Sequence, residues 1–184
     1  VSRDWSSDVC SSDLRKEAVF TFPAEKSNIN VASLLDSMQI PTEYRLQQVQ
    51  QAMWAGATIE QIHDATKIDH WYLHQLALIN SKAEELAQPG ELTRELLFSA
   101  KQLGFSDQQI SQIRGLTTAE VRAARLHLDI RPVYKTVDTC AAEFEAFTPY
   151  HYSTYEEETE VAARTKPAVI ILGSGPNRIG QGIE

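Results

Sequence analysis

The sequence predicts a mainly α protein: a small helical bundle made of two copies of a helix, short helix, helix unit, followed by an extended segment and the first strand and glycine loop of an α/β domain. Three observations carry that expectation. Apolar residues recur at helical spacing from Pro41 to Leu128, the chain superimposes on itself at a shift of 48 positions, and a β-branched run followed by glycines closes the sequence. With 184 residues, 42% of them hydrophobic, there is apolar material for one or two compact domains and too little chain for a complete multi-step synthetase.

Val1 to Leu14 repeats Ser-Ser-Asp at 6–8 and 11–13, shows no apolar period and lacks the apolar core of a secretory signal. Asp4 to Leu14 resembles the translation of a sequencing-library adapter, so residues 1–14 are set aside as an artefact. Residues 15–40 form a weakly placed lead-in.

The helical module spans 41–130. Its apolar series are Leu46, Val49 and Met53, then Tyr72, Leu76, Ile79, Ala83 and Leu86, then Leu96, Ala100 and Leu103, then Val121, Ala124 and Leu128. Gly56 and Gly104 stand where a helix end takes a left-handed residue, and the pairs Thr58/Gln61, Ser106/Gln109 and Thr117/Glu120 have capping-box spacing. Six helices of modest length are therefore expected. The shift of 48 places Ala52 on Ala100, Gly56 on Gly104, Thr58 on Ser106, Gln61 on Gln109, Ile62 on Ile110 and the N-cap Asp69 on Thr117. Two copies are too few for a solenoid, so a bundle in which each copy covers the other's apolar face is the economical arrangement. Trp54 and Trp71, with Tyr44 and Tyr72, are core or subunit-interface aromatics, and a module presenting Trp54, Trp71 and Tyr72 is expected to self-associate.

The same unit can be read as a DNA-binding helix-turn-helix with Arg122, Arg125 and Arg131 near its second helix. Seventeen Lys and Arg against 25 Asp and Glu, a formal charge of −8, weigh against it, because phosphate binding needs a basic face. His70 and His74 have metal-site spacing at i, i+4, yet no third ligand recurs nearby, so no metal is assigned. Cys10 and Cys140 cannot build a disulfide framework, which makes a reducing cytoplasm the default. The longest aliphatic run, Ala168 to Leu172, is far shorter than the roughly 20 residues a membrane helix needs.

After Ile130 the helical signal stops. Residues 131–166 read as an extended arm whose aromatics, Phe144, Phe147, Tyr150, Tyr152 and Tyr155, must lie against a protein surface. Cys140 has no partnering His in reach and reads as a lone buried thiol. Ala168 to Leu172 then has the character of a buried parallel strand, and Gly173, Gly175, Gly180 and Gly182 form a loop that lets an anion approach the backbone. The spacing departs from G-x-G-x-x-G, and a Rossmann-type nucleotide domain stands as a second alternative.

Two motifs carry a family resemblance: V-Y-K-T-V-D-T-C-A-A-E-F-E-A-F-T-P-Y-H-Y-S-T-Y-E from Val133 to Glu156, and I-L-G-S-G-P-N-R-I-G-Q-G-I-E from Ile171 to Glu184. Together with Pro41-Thr-Glu-x-Arg45, Ile68-Asp-x-Trp71 and Ala100-Lys-x-x-Gly-Phe-Ser-Asp107, they closely resemble the large subunit of carbamoyl phosphate synthase. The resemblance implies a central oligomerisation domain over 41–130, a connecting arm over 131–166, and over 167–184 the truncated start of the α/β pre-ATP-grasp domain of a second synthetase half. It also implies a parent enzyme that makes carbamoyl phosphate from bicarbonate, glutamine-derived ammonia and two ATP, with Mg²⁺ and K⁺. The implied partners are a small glutaminase subunit and further copies of the chain, with neither nucleic acid nor membrane, in the cytoplasm. Arg178 and Glu184 match residues that line the family's carbamate tunnel. No ATP-grasp catalytic or metal-binding residue falls in this stretch, so the fragment alone is expected to bind no cofactor and to be inactive.

Overall fold

The computed structural model describes residues 20–145, 150–163 and 165–169, and among these residues it has seven α-helices, a single 3₁₀ turn at Lys26–Asn28 and two short strands. The helices are α1 (Val31–Ser37), α2 (Arg45–Trp54), α3 (Ile59–Thr66), α4 (His70–Ala87), α5 (Arg94–Gln102), α6 (Asp107–Arg114) and α7 (Thr118–His127). Six of them fall where the stop and start signals place them. The Thr58 side chain accepts the Gln61 N–H at 3.2 Å while Gln61 accepts the Thr58 N–H at 2.9 Å, and Ser106/Gln109 and Thr117/Glu120 repeat this reciprocal cap. Gly56 and Gly104 adopt φ of +100° and +89°, which an L side chain rarely tolerates. Helices α3 and α6 begin 48 positions apart, and so do α4 and α7.

The helices bury part of what the periodicity selects, Val49, Ala83, Leu86, Ala100 and Val121, and depart from it elsewhere. Leu46, Tyr72 and Leu103 are exposed, whereas Gln50, Trp54, Leu73 and Leu97 are buried. The cause lies in the lead-in, which the sequence leaves unplaced. Helix α1, capped by Asn30, packs on α2 and α3 and closes a first cluster of Met38, Val49, Ala52, Ile62 and Leu73. Phe22 sits edge-on to Trp54 at 5.2 Å and stacks on Phe105 at 5.4 Å, while the Trp54 indole N–H donates to the Pro23 carbonyl at 2.9 Å. A second cluster gathers Trp54, Ala83, Leu86, Leu97, Ala100, Phe105, Ile110, Val121 and Ile130. The expectation of two copies covering each other gives way to two cores joined through α4, which supplies Leu73 to the first and Ala83 and Leu86 to the second.

The arm also departs from its expectation. Strands β1 (Val133–Thr136) and β2 (His151–Thr154) pair antiparallel, with Tyr134 opposite Ser153 and Lys135 opposite Tyr152. Residues 159 and 160 return along the other edge of β1, where the Glu160 N–H donates to the Tyr134 carbonyl at 2.9 Å. Tyr134, Phe144, Tyr150 and Tyr152 are exposed, so the described aromatics of this segment do not all lie on protein surface. Tyr155 does.

Phe20–Ala162 forms one compact unit. Ala163 and residues 165–169 fall outside it and have no regular structure, with Val169 exposed; most of the expected strand from Ala168 to Leu172 lies beyond the described residues.

Candidate functional site

Asp69 starts α4 by accepting the Trp71 N–H at 2.8 Å. At about 100° per residue, Leu73 and Asn80 then share the buried side of the helix, and Trp71 and Leu78, likewise seven apart, share the opposite one. Trp71 is 62% exposed, and Leu78 is 54% exposed. Tyr72, also exposed, meets the Trp71 ring edge-on at 5.0 Å and 90°. The helix spans 18 residues, about 27 Å, and presents a rigid aromatic surface in its first turn. Helix α7 carries Ala119 and Glu120 at the corresponding positions, so the aromatic patch belongs to one half only. Exposed Trp and Tyr clustered in this way suit a protein interface. Trp54 is no part of it, being 5% exposed and held in the second core.

The histidines with metal-site spacing and the lone thiol Cys140 are engaged locally. The His63 and His70 rings stack at 4.0 Å, His63 Nδ1 lies 2.8 Å from the Ile68 carbonyl, and His74 Nδ1 lies 2.7 Å from the His70 carbonyl. Among the described residues, no three His, Cys, Asp or Glu side chains converge to hold a metal ion. Cys140 is half-buried, not enclosed, because it sits in a turn organised by the Asp138 carboxylate, which accepts the N–H groups of Cys140 at 2.8 Å and Ala142 at 2.7 Å.

Of the three basic residues that a DNA-reading helix would need, Arg125 is turned inward, while Arg122 and Arg131 are exposed. Arg125 grips the Asp107 carboxylate at 3.1 Å and donates to the Ile130 carbonyl at 2.9 Å. Arg114 donates to the carbonyls of Leu86, Gln88 and Gly90, clamping the link between α4 and α5. Lys101 is buried and donates to the Phe105 carbonyl at 2.6 Å and to Asp107 at 3.0 Å. Burial alone would push the Asp107 carboxyl up, but the hydrogen bonds and charges of Lys101 and Arg125 outweigh it and hold the group below its ordinary value. Nothing in the sequence periodicity points to this cluster, nor to the buried Gln50–Asn80 pair at 3.0 Å beneath α2.

A family described as "Carbamoyl-phosphate synthetase large chain, oligomerisation domain" matches residues 10–129. The chain belongs to this family. The carbamoyl phosphate synthase large chain of Paenarthrobacter aurescens (strain TC1) is 59% identical over 154 residues, which cover 84% of this chain and 14% of that protein. The large chain of Streptomyces coelicolor (strain ATCC BAA-471 / A3(2) / M145) is 58% identical over 170 residues, covering 92% of this chain and 15% of that one. The oligomerisation-domain chain thus spans about one seventh of the length of these relatives. The family's match takes in residues 15–40, where α1 and the Phe22 contacts lie. The glycine-loop positions Gly173, Gly175, Gly180 and Gly182 and the tunnel positions Arg178 and Glu184 lie outside the described residues.

Proposed function

We propose that this chain is the central assembly module of the large subunit of a glutamine-dependent carbamoyl phosphate synthase. The observation that carries the reading is the family match over 10–129, joined to identities near 58% with large chains over most of the sequence. In the intact parent, bicarbonate, glutamine-derived ammonia and two ATP yield carbamoyl phosphate, with Mg²⁺ and K⁺ at ATP-grasp sites carried by the remaining six sevenths of the polypeptide. Partners are the small glutaminase subunit and further copies of the large chain, in the cytoplasm. Residues 41–130 are the assembly domain, built from a duplicated helix, short helix, helix unit. Residues 131–166 connect it to a pre-ATP-grasp domain that starts at 167, where Arg178 and Glu184 line the carbamate path. Their chemistry suits that duty, since a guanidinium holds an anionic carbamate and a carboxylate fixes the guanidinium or accepts from the amino end.

Assembly through the helical domain is supported by the α4 patch. An exposed Trp, Tyr and Leu on a single rigid helix form the kind of aromatic anchor on which interface energy concentrates. Sedimentation velocity over a concentration series of the 184-residue chain tests this. Concentration-dependent association is expected, weakened about tenfold by Trp71→Ser, with the melting temperature unchanged. A strictly monomeric chain at high concentration would refute the assembly role.

A further inference from the structure

We propose that Tyr155 is a latch: seated on the Lys101–Asp107–Arg125 cluster, it fixes the β1–β2 hairpin to the helical body, and the hairpin swings about Arg131–Pro132 when the ring withdraws. The hinge is defined on both sides. Ile130 is 1% exposed, its N–H donates to the Arg125 carbonyl at 2.9 Å and its own carbonyl accepts from the Arg125 side chain, so the body ends in a locked residue. Arg131 and Pro132 are exposed, and proline has no N–H with which to tie the backbone down. From Val133 the chain is held by its own partners. The Thr136 N–H donates to Glu160, Lys135 pairs with Glu160 at 3.2 Å and Glu156 at 3.6 Å, and Thr159 accepts the Tyr134 N–H. Hydrogen bonding from Thr136 and Lys135 holds the Glu160 carboxyl below its ordinary value, in keeping with a hairpin that closes on itself.

Tyr155 is the exception to this self-containment. Among the described residues, it is the apolar hairpin side chain packed against the second core, and its ring centre lies 5.1 Å from the Lys101 ammonium. The reason is electrostatic. Lys101 and Arg125 have side chains only 8% and 11% exposed, yet a single carboxylate, Asp107, faces both. Two desolvated cations on one anion leave an excess positive charge that the negative face of an aromatic ring relieves.

The duplicated register supplies an independent argument. Forty-eight positions earlier, the residues matching Lys101, Asp107 and Arg125 are Met53, Ile59 and Ala77. The first half builds the same three helices with apolar side chains there, so the helical unit does not require the charges. They occur only in the half to which the hairpin is attached, and a buried ionic cluster is weak evidence of a purely stabilising role.

Electron–electron distance measurements on the full chain test the latch. Nitroxides are placed at the exposed positions Thr139→Cys, in the hairpin, and Ser81→Cys, on α4, with Cys10 and Cys140 replaced by Ser. A narrow distance distribution is expected with Tyr155 present and with Tyr155→Phe, which keeps the ring. Tyr155→Leu should broaden it at least about twofold as unlatched positions become populated, with the helical melting transition in place and the Val137 N–H, bonded to the Tyr150 carbonyl, still slow to exchange. A distribution for Tyr155→Leu as narrow as the starting chain would overturn the proposal. So would Tyr155→Phe broadening as much as Leu, or fast exchange at Val137, which would mean the hairpin melts instead of moving.

Discussion

The two halves of the helical domain share a register and differ in how they are closed. The first half, α2 to the start of α4, is covered by the lead-in helix α1, fills its interior with Met38, Val49, Ala52, Ile62 and Leu73, and turns Trp71 and Tyr72 outward. The second half, α5 to α7, is covered by Phe22, the end of α4 and Tyr155, places a charged cluster where the first half is apolar, and exposes no Trp or Tyr on its last helix. One local pattern therefore ends in two surroundings: one copy leaves an aromatic surface exposed, and the other packs Tyr155 against its core. Caps and turns set the helices, while whatever covers a helix decides which of its faces is the inside.

The largest effects test whether the two cores are energetically one. Ile62 and Ile110 occupy the same register and are both fully buried. Ile62→Ala and Ile110→Ala should each cost about 2–5 kcal/mol, the transfer term plus the cavity left behind. Because α4 contributes to both clusters, either substitution should lower a single cooperative transition followed by circular dichroism and by tryptophan fluorescence, with Trp54 reporting the second core. Two separated transitions would show that the halves unfold independently and that α4 does not couple them.

Next in size is the charged cluster. Asp107→Asn leaves Lys101 and Arg125 buried without their carboxylate and should cost about 3 kcal/mol at neutral pH, measured by urea unfolding. The direction of the shift sets the sign with pH. Asp107 titrates below its ordinary value of 3.8 when folded, so its contribution is complete above that pH and is lost as pH falls through the lower folded value. The stability difference between the original chain and Asp107→Asn should accordingly shrink as pH falls below 3.8. A difference that stays constant down to strong acid would mean the loss arises from packing and not from charge.

Much of this fold was legible because its signals are local. Thr58, Ser106 and Thr117 with their partners three residues on, Asp69, and the glycines at 56 and 104 act through bonds within one turn, and each stands where the pattern puts it. The buried faces were legible only in part, Val49, Ala83, Leu86, Ala100 and Val121 among them, because the rest of the burial is settled by contacts far apart in sequence. Gln50 is hidden by Asn80, 30 positions on, and by the Thr21 carbonyl, and Trp54 by Pro23 and Phe22, the last three from a lead-in with weak periodicity. The hairpin was hidden for a related reason: β1 and β2 are four residues each, are separated by residues 137–150 and are too short to impose an alternation. The charged cluster does leave one signal in the sequence. A shift of 48 sets Lys101, Asp107 and Arg125 against Met53, Ile59 and Ala77, and a charge at a position whose counterpart is apolar marks a site with a second duty.

The finest distinction between the halves concerns Gln61 and Gln109, equivalent residues with equivalent caps. Each accepts the N–H of its N-cap residue through its side-chain oxygen, at 2.9 Å from Thr58 and 3.0 Å from Ser106. Gln61 is exposed, and its capping bond is the sort that contributes a few tenths of a kcal/mol to about 1 kcal/mol. Gln109 has a second role, since its side-chain nitrogen donates to the Phe20 carbonyl at 3.0 Å and so ties the lead-in to α6, next to the Phe22 that stacks on Phe105. Gln61→Ala should cost about 0.5 kcal/mol in urea unfolding, and Gln109→Ala about 1 kcal/mol more, because a partly buried bond of high sequence separation is lost with the cap. Amide exchange adds the sharper readout: in Gln109→Ala the Trp54 indole N–H, which rests on Pro23, should exchange faster, whereas in Gln61→Ala it should not. Equal costs and unchanged indole exchange in both would mean that the lead-in is held by the Phe22 ring contacts alone, and that the two capping boxes are interchangeable after all.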